Sequence, residues 1–180
     1  IYHISKDEIN YKHIIENKIA VLSVISLLNF NLKKAAKILK EFEPVKYRLN
    51  KIDSQIYNDA KSTNCASTDC AIKAIGKCIL ICGGYERNIS INLSDEALNN
   101  IVMVMAYGES KYNLEKYFSL KKINIFVFDS LEVALKSAYK LKSKNVSILY
   151  SPMYASFDQY NSYIERGEEF NRLYKKIKNG

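Results

Sequence analysis

Apolar residues recur along the first 45 positions with helical spacing. Ile15, Ile19, Leu22, Ile25 and Leu28, with Val21, Val24 and Leu27 between them, predict a helix over residues 14–30 that is buried on most sides. Asn29 to Asn31 interrupt the pattern. A second helix then reads from Asn31 as N-cap, with Leu32, Ala35, Ala36, Leu39 and Phe42 on one face and Pro44 as its end. Past Pro44 the period changes. VKYRLNKI and QIYND read as short strands or a hairpin, and STNCASTDCAIKAI as a helix capped near Thr63 or Asn64. KCILICGG, NIVMVMAYG, INIFVFD and VSILYSP are continuous apolar runs of the kind that fill buried parallel strands. The last three are followed by the helices SKYNLEKYF and SLEVALKSAYKL and by a final helix opened by Asp158. The apolar stripe of that helix comprises Tyr160, Tyr163, Ile164, Phe170, Leu173, Tyr174 and Ile177. Repeated strand–helix alternation predicts the α/β class, with an open, mostly parallel sheet, flanking helices and right-handed crossovers. The boundary is placed near residue 45. Residues 1–45 are expected to be the tail of a preceding domain and residues 46–180 the α/β domain.

Composition narrows this picture. With 180 residues, 48% apolar and 26% charged, the chain can bury an ordinary core. Its start at Ile1 rather than Met suggests a fragment of a longer protein. The net charge of +8 favours anionic ligands, but the lysines are dispersed. The cluster of Lys175, Lys176 and Lys178 sits where cations complement a helix dipole. No aromatic-basic interleaved surface is legible, so a nucleic-acid partner is not expected. The run IAVLSVISLLNF is too short and too interrupted for a membrane span, and no basic segment leads it as in a signal peptide. A cytoplasmic protein is therefore expected. Cys65, Cys70, Cys78 and Cys82 lack the paired C-x2-C spacing of zinc knuckles and read as core cysteines, with no metal site and no disulfide.

The chemistry is confined to strand ends, where open α/β sheets bind ligands. The sequence has no G-x-G-x-x-G motif and no P-loop. His3 and His13 precede the α/β region, which excludes a Ser-His-Asp triad within it. In YNDAKSTN, Asp59, Lys61 and Thr63 alternate, so all three share one side if the segment is extended. A carboxylate, an ammonium and a hydroxyl beside a helix N-terminus suit a nucleotide or a carboxylate ligand. An ordinary strand-to-helix turn with a capping residue is the alternative. In SPMYASFDQYNSYIERGEEF, Ser156 and nearby amides could hold a carboxylate, or Ser156 or Asp158 could simply cap the last helix.

Taken together, these segments resemble the Mur ligases, and within them the D-glutamate-adding branch. NDAKSTN resembles that branch's NDSKATN, ICGGYERN its LLGG-x-x-K segment, AYGES its FG-x-x strand end, and SPMYASFDQYNSYIERGEEF its SPAxASxDQFxxFxxRGxxF signature. Upstream, PVKYRLNKI is similar to an L-P-H-R segment and YKHIIENKIAV to G-x-H-N-x-x-N-A-x-A. Order and spacing agree over nearly the whole chain. The resemblance implies a Rossmann-like C-terminal domain, preceded by the last helices of a central ATPase domain. It implies an ATP- and Mg2+-dependent ligase that joins D-glutamate to UDP-N-acetylmuramoyl-L-alanine in peptidoglycan synthesis. It also implies that the Mg2+ ligands, the P-loop and the N-terminal and central domains lie outside this chain, in cis or in trans. By the same resemblance Asn17, Arg48, Asp59 and Lys61 fall at the nucleotide. Thr63, Arg87, Ser156 and the backbone of Tyr163 fall at D-glutamate. No catalytic residue is carried over. The chain departs from the family at Ile14, at Tyr47 for a His, and at Arg87 for a Lys. The isolated chain is expected to be inactive. The alternative expectation is a non-catalytic binding module, or gene remnant, for a small acidic ligand.

Overall fold

The computed structural model describes residues 12–42, 45–87 and 89–180; His3 and Pro44 lie outside them. It falls into two compact units, Ile1–Val45 and Lys46–Gly180. The first holds helices α1 (Lys12–Leu27) and α2 (Leu32–Glu41). Asn29 adopts a left-handed conformation (φ 57°) between them, as the Asn-rich break requires. The side chain of Asn31 accepts from the Lys34 N–H at 3.0 Å and caps α2. The burial expected for α1 is not found. Ile19, Val24 and Leu27 are 52%, 54% and 82% exposed. Two helices side by side cover one stripe of each other, and a helix apolar on most sides needs further layers.

The second unit carries a six-stranded sheet. Its strands are β1 (Asn50–Asp53), β2 (Ile56–Asn58), β3 (Cys78–Gly83), β4 (Ile101–Tyr107), β5 (Ile125–Val127) and β6 (Ser147–Tyr150), in the order β1-β2-β6-β3-β4-β5. β1 and β2 pair as an antiparallel hairpin, one of the two readings open for these segments, and every other neighbouring pair is parallel. Between the strands run helices α3 (Cys65–Ile75), α4 (Asp95–Asn100), α5 (Lys111–Leu120) and α6 (Leu131–Lys140), and α7 (Tyr163–Asn179) closes the chain. The short α4, capped by Ser94, has too few residues to show a period and was not expected.

Alternation along the strands sorts the core into two layers. Ile79, Ile81, Met105, Tyr107, Ile148 and Tyr150 face one cluster with Leu131, Leu135, Phe170 and Leu173 of α6 and α7. Leu80, Cys82, Val104, Ala106 and Leu149 point the other way and are fully buried as well, on the side of Ile72, Leu114 and Phe118 from α3 and α5. Both faces of the sheet are covered, which explains why its strands are continuous apolar runs.

The last helix starts later than expected. Its N-cap is Ser162, whose hydroxyl accepts from the Glu165 N–H at 3.2 Å, while the Glu165 carboxylate accepts from the Asn161 N–H at 2.9 Å. Asp158 is held elsewhere: its Oδ2 accepts from the Glu109 N–H at 3.3 Å across the Gly108 turn. A residue captured by a neighbouring loop cannot also cap its own helix. Of the expected stripe, Phe170, Leu173 and Tyr174 are buried, Ile164 is exposed, and Tyr160 precedes the helix.

Candidate functional site

Parallel strands end at the same edge of the sheet, so the segments after β2, β3, β4 and β6 gather there. Backbone hydrogen bonds join them in series. Asp59 N donates to Tyr150 O at 2.7 Å and Met153 N to Ser62 O at 3.1 Å. Gly83 N donates to Pro152 O and Tyr85 N to Ala155 O, both at 2.9 Å, and Ser110 N to Gly84 O at 3.0 Å. The paired glycines make this approach possible. A Cβ on Gly83 would lie 1.8 Å from the Tyr107 carbonyl oxygen, and one on Gly84 2.3 Å from that of Ala155.

The segment after β2 is a tight turn and not an extended strand: Ser62 N donates to Asp59 O at 2.9 Å. Asp59, Lys61 and Thr63 therefore do not share a side. Asp59 is buried, with Oδ1 accepting from Leu49 N at 2.9 Å and Oδ2 from the Ser151 hydroxyl at 2.8 Å. Ser151 also meets the Thr68 hydroxyl at 2.9 Å. Desolvation pushes the Asp59 carboxyl up to about 6, against the opposing pull of the Ser62 and Ser151 hydrogen bonds, the Leu49 N–H and the positive charge of Arg48. Asp59 thus organises the turn from within, while Arg48 stands exposed nearby.

Lys61 and Thr63 face outward from this turn. The Lys61 Nζ stands 4.9 Å from the centroid of the Tyr163 ring, on the first residue of α7. The Tyr163 N–H lies in the first helical turn, where intrahelical acceptors run out. Thr63 is exposed beside Asn64, whose side chain caps α3 by accepting from Ser67 N at 2.9 Å. On the neighbouring segment the Arg87 guanidinium lies 5.9 Å from the Tyr85 ring and 5.8 Å from that of Phe157. Phe157 follows Ser156 directly, and Ser156 is buried. The fold thus brings Lys61, Thr63, Arg87, Ser156 and Tyr163 onto three cross-bonded segments at one sheet edge. Asn17 is exposed on α1, in the other unit.

Several residues that hold this edge were not read as site residues from the sequence. Asn58 donates to Gly167 O at 2.9 Å and Asn171 Oδ1 at 2.8 Å, and its own Oδ1 accepts from Ala60 N at 3.1 Å. It thereby ties the end of β2 to α7. The Tyr47 ring lies against Gly167, where a Cβ would meet it at 2.5 Å. Tyr107 and Tyr150 share a buried hydroxyl–hydroxyl contact of 2.7 Å, and Tyr150 stacks on Phe170 with centroids 4.4 Å apart. The NDAK and ERGEEF segments carry Asn58 and Gly167, but nothing local says that they touch.

Of the four cysteines, Cys78 and Cys82 are core residues as expected, whereas Cys70 is exposed and Cys65 partly so. An amphipathic helix buries one side, and Cys70 falls on the other. Among the described residues no group of three or more His, Cys, Asp or Glu could hold a metal ion, and no helix is long and apolar enough to cross a membrane.

No family model matches the chain. Its curated relatives are nonetheless consistent with one another. It is 31% identical over 170 residues to the UDP-N-acetylmuramoylalanine–D-glutamate ligase of Exiguobacterium sibiricum, covering 92% of this chain and 38% of that enzyme. It is 30% identical over 164 residues to the ligase of the same name from Bacillus subtilis, covering 88% of this chain and 36% of the enzyme. Over the chain length, the UDP-N-acetylmuramate–alanine ligase of Thermotoga maritima has a similar fold, with a TM-score of 0.62, 17% identity, 91% of this chain covered and 38% of that one. The resemblance to the Mur ligases therefore holds for sequence and fold, and the chain spans about two fifths of the length of these relatives.

Proposed function

We infer that this chain is the C-terminal part of a Mur ligase of the D-glutamate-adding kind, and that its sheet edge binds D-glutamate and one side of a nucleotide. The observation that supports this most directly is the meeting of Thr63, Arg87 and Ser156 on segments cross-bonded through Met153–Ser62 and Tyr85–Ala155. D-Glutamate carries two carboxylates and one amine, so it needs donors at two ends. In this reading the Thr63 hydroxyl and the Arg87 guanidinium hold the α-carboxylate, Arg87 through a planar fork suited to two parallel hydrogen bonds. The Ser156 hydroxyl and the Tyr163 N–H hold the side-chain carboxylate, at the positive end of α7. Lys61 and Arg48 offer cations to nucleotide phosphates, and Asp59 keeps the Lys61 turn in shape.

In the full reaction ATP transfers its γ-phosphoryl group to the carboxylate of UDP-N-acetylmuramoyl-L-alanine. The amine of D-glutamate attacks the resulting acyl phosphate, the amide bond forms, and phosphate leaves. This chain's share is orientation: both carboxylates are anchored, which leaves the amine as the free end of the substrate. Bound Mg2+ would screen the phosphoryl charge. Among the described residues no group of three or more His, Cys, Asp or Glu could hold such an ion, and in this reading its ligands lie in the portion of a full-length ligase that this chain does not span. The isolated chain should therefore bind without turning over.

The reading is tested by titrating D- and L-glutamate into the 15N-labelled chain and assaying it for phosphate release with all three substrates. Shifts at the Thr63, Ser156 and Tyr163 amides, larger for the D-enantiomer, with no phosphate release, are expected. Equal responses to both enantiomers, or none, would refute the D-glutamate assignment, and turnover would refute the predicted inactivity.

A further inference from the structure

α7 turns Arg166 inward, and the side chain is fully buried. Burying a guanidinium is expensive unless its charge is paired and its donors are used. Here no ion pair includes it among the described residues. Nη1 donates to the Tyr154 carbonyl at 3.0 Å, Nη2 donates to the Ala60 carbonyl at 2.9 Å, and Nε–H has no partner. A Cβ on Gly84 would stand 3.2 Å from Nη1. The guanidinium therefore sits where the segments after β2, β3 and β6 meet.

A buried charge with one nitrogen left without a partner is a poor way to stabilise a core, and an aliphatic side chain of similar volume would often do as well or better. An aliphatic side chain cannot grip two carbonyls at once. Ala60 lies between Asp59 and Lys61, and Tyr154 lies two residues before Ser156. We propose that Arg166 is a positioning residue, a clamp whose guanidinium sets the spacing between the segment bearing Lys61 and Thr63 and the segment bearing Ser156. The proposal deepens the D-glutamate reading and rests on it for the identity of the ligand. Arg166 does not touch the substrate; it acts through the backbone that presents Thr63 and Ser156.

The test uses the whole 180-residue chain as wild type, Arg166→Met and Arg166→Lys. Hydrogen exchange is read at Met153 N, which bridges the two clamped segments, and at Leu80 and Met105 in the sheet centre. D-Glutamate affinity is measured alongside. In Arg166→Met, exchange at Met153 should rise by ~10-fold or more and D-glutamate affinity should fall by a similar factor, with sheet amides as protected as in wild type. Arg166→Lys, which can reach one carbonyl, should fall between. A purely structural role would lower sheet protection and loop protection together. If Arg166→Met does not fold, Arg166→Lys decides. Wild-type protection at Met153, or unchanged affinity despite a loosened loop, would overturn the proposal. A wild-type chain that binds no D-glutamate would refute the ligand and not the clamp, which the exchange rates decide alone.

Discussion

Ser151 donates its hydroxyl to Asp59 Oδ2 at 2.8 Å, joining residues 92 positions apart beneath the candidate site. Burial pushes the Asp59 carboxyl up to about 6, so between about pH 4 and pH 6 the folded chain holds a proton that the unfolded chain has already released. The sign follows: this group's contribution is largest below the unfolded value and is lost as pH rises through the folded one. Asn at position 59 could keep the Leu49 contact and donate to Ser151. The stability difference between wild type and Asp59→Asn should therefore shift in favour of wild type by about 1 kcal/mol from about pH 7.5 to about pH 5. Urea unfolding of both proteins at the two pH values measures it, and a difference independent of pH would sink the expectation.

Arg87 is exposed and lies beside the Tyr85 and Phe157 rings. If it binds a carboxylate of D-glutamate, Arg87→Ala should weaken binding by ~10-fold or more, since hydrogen bonds to charged groups contribute about 1.5–3 kcal/mol. Arg87→Lys should lose less, because it keeps the charge and gives up the fork. Titration calorimetry with D-glutamate reads this, and an unchanged affinity in Arg87→Ala would remove Arg87 from the site.

Gly167 sits inside α7 with the Tyr47 ring against it. Alanine is favoured over glycine in a helix by about 1 kcal/mol, while overpacking costs about 1–3 kcal/mol. Gly167→Ala should therefore destabilise wild type yet stabilise a Tyr47→Ala background. A double-mutant cycle in denaturant gives both values; the same sign in both backgrounds would contradict the packing argument.

The thiols divide by exposure. Cys78 and Cys82 are fully buried, and burial pushes the Cys78 thiol up to about 12 against the opposing positive charge of Lys77. Maleimide should label Cys70 and then Cys65 in the native chain, and Cys78 and Cys82 on unfolding alone. Peptide mass mapping checks this, and native labelling of Cys82 would mean that the sheet opens.

Over residues 15–27 of α1 and throughout α2 no side chain is buried. With little apolar burial behind their hydrogen bonds, these helices should exchange amide protons far faster than β3 and β4. Sheet-like protection across residues 12–42 would show that they have a partner surface.

Much of this architecture is legible in the sequence. CILICG and IVMVMAY are apolar because both their faces are covered, and the turn and cap residues Asn29, Asn31 and Asn64 act within a few positions of themselves. Such signals are local, so the chain by itself determined the parallel sheet and the presence of the family segments in order. Tertiary structure decided what those segments do. Asp59 looked like an outward ligand and is buried, because Leu49 N and Ser151 reach it from elsewhere in the chain. Asp158 and Ser162 are equally good caps by type; the Gly108 turn claims one and leaves the helix to the other. Arg166 reads as one more charge on a helix, and what makes it a clamp is the arrival of the Ala60 and Tyr154 carbonyls from distant segments. Helix and strand preferences are set within a few residues of chain, whereas burial of a polar group is set by whichever segment the fold brings to it.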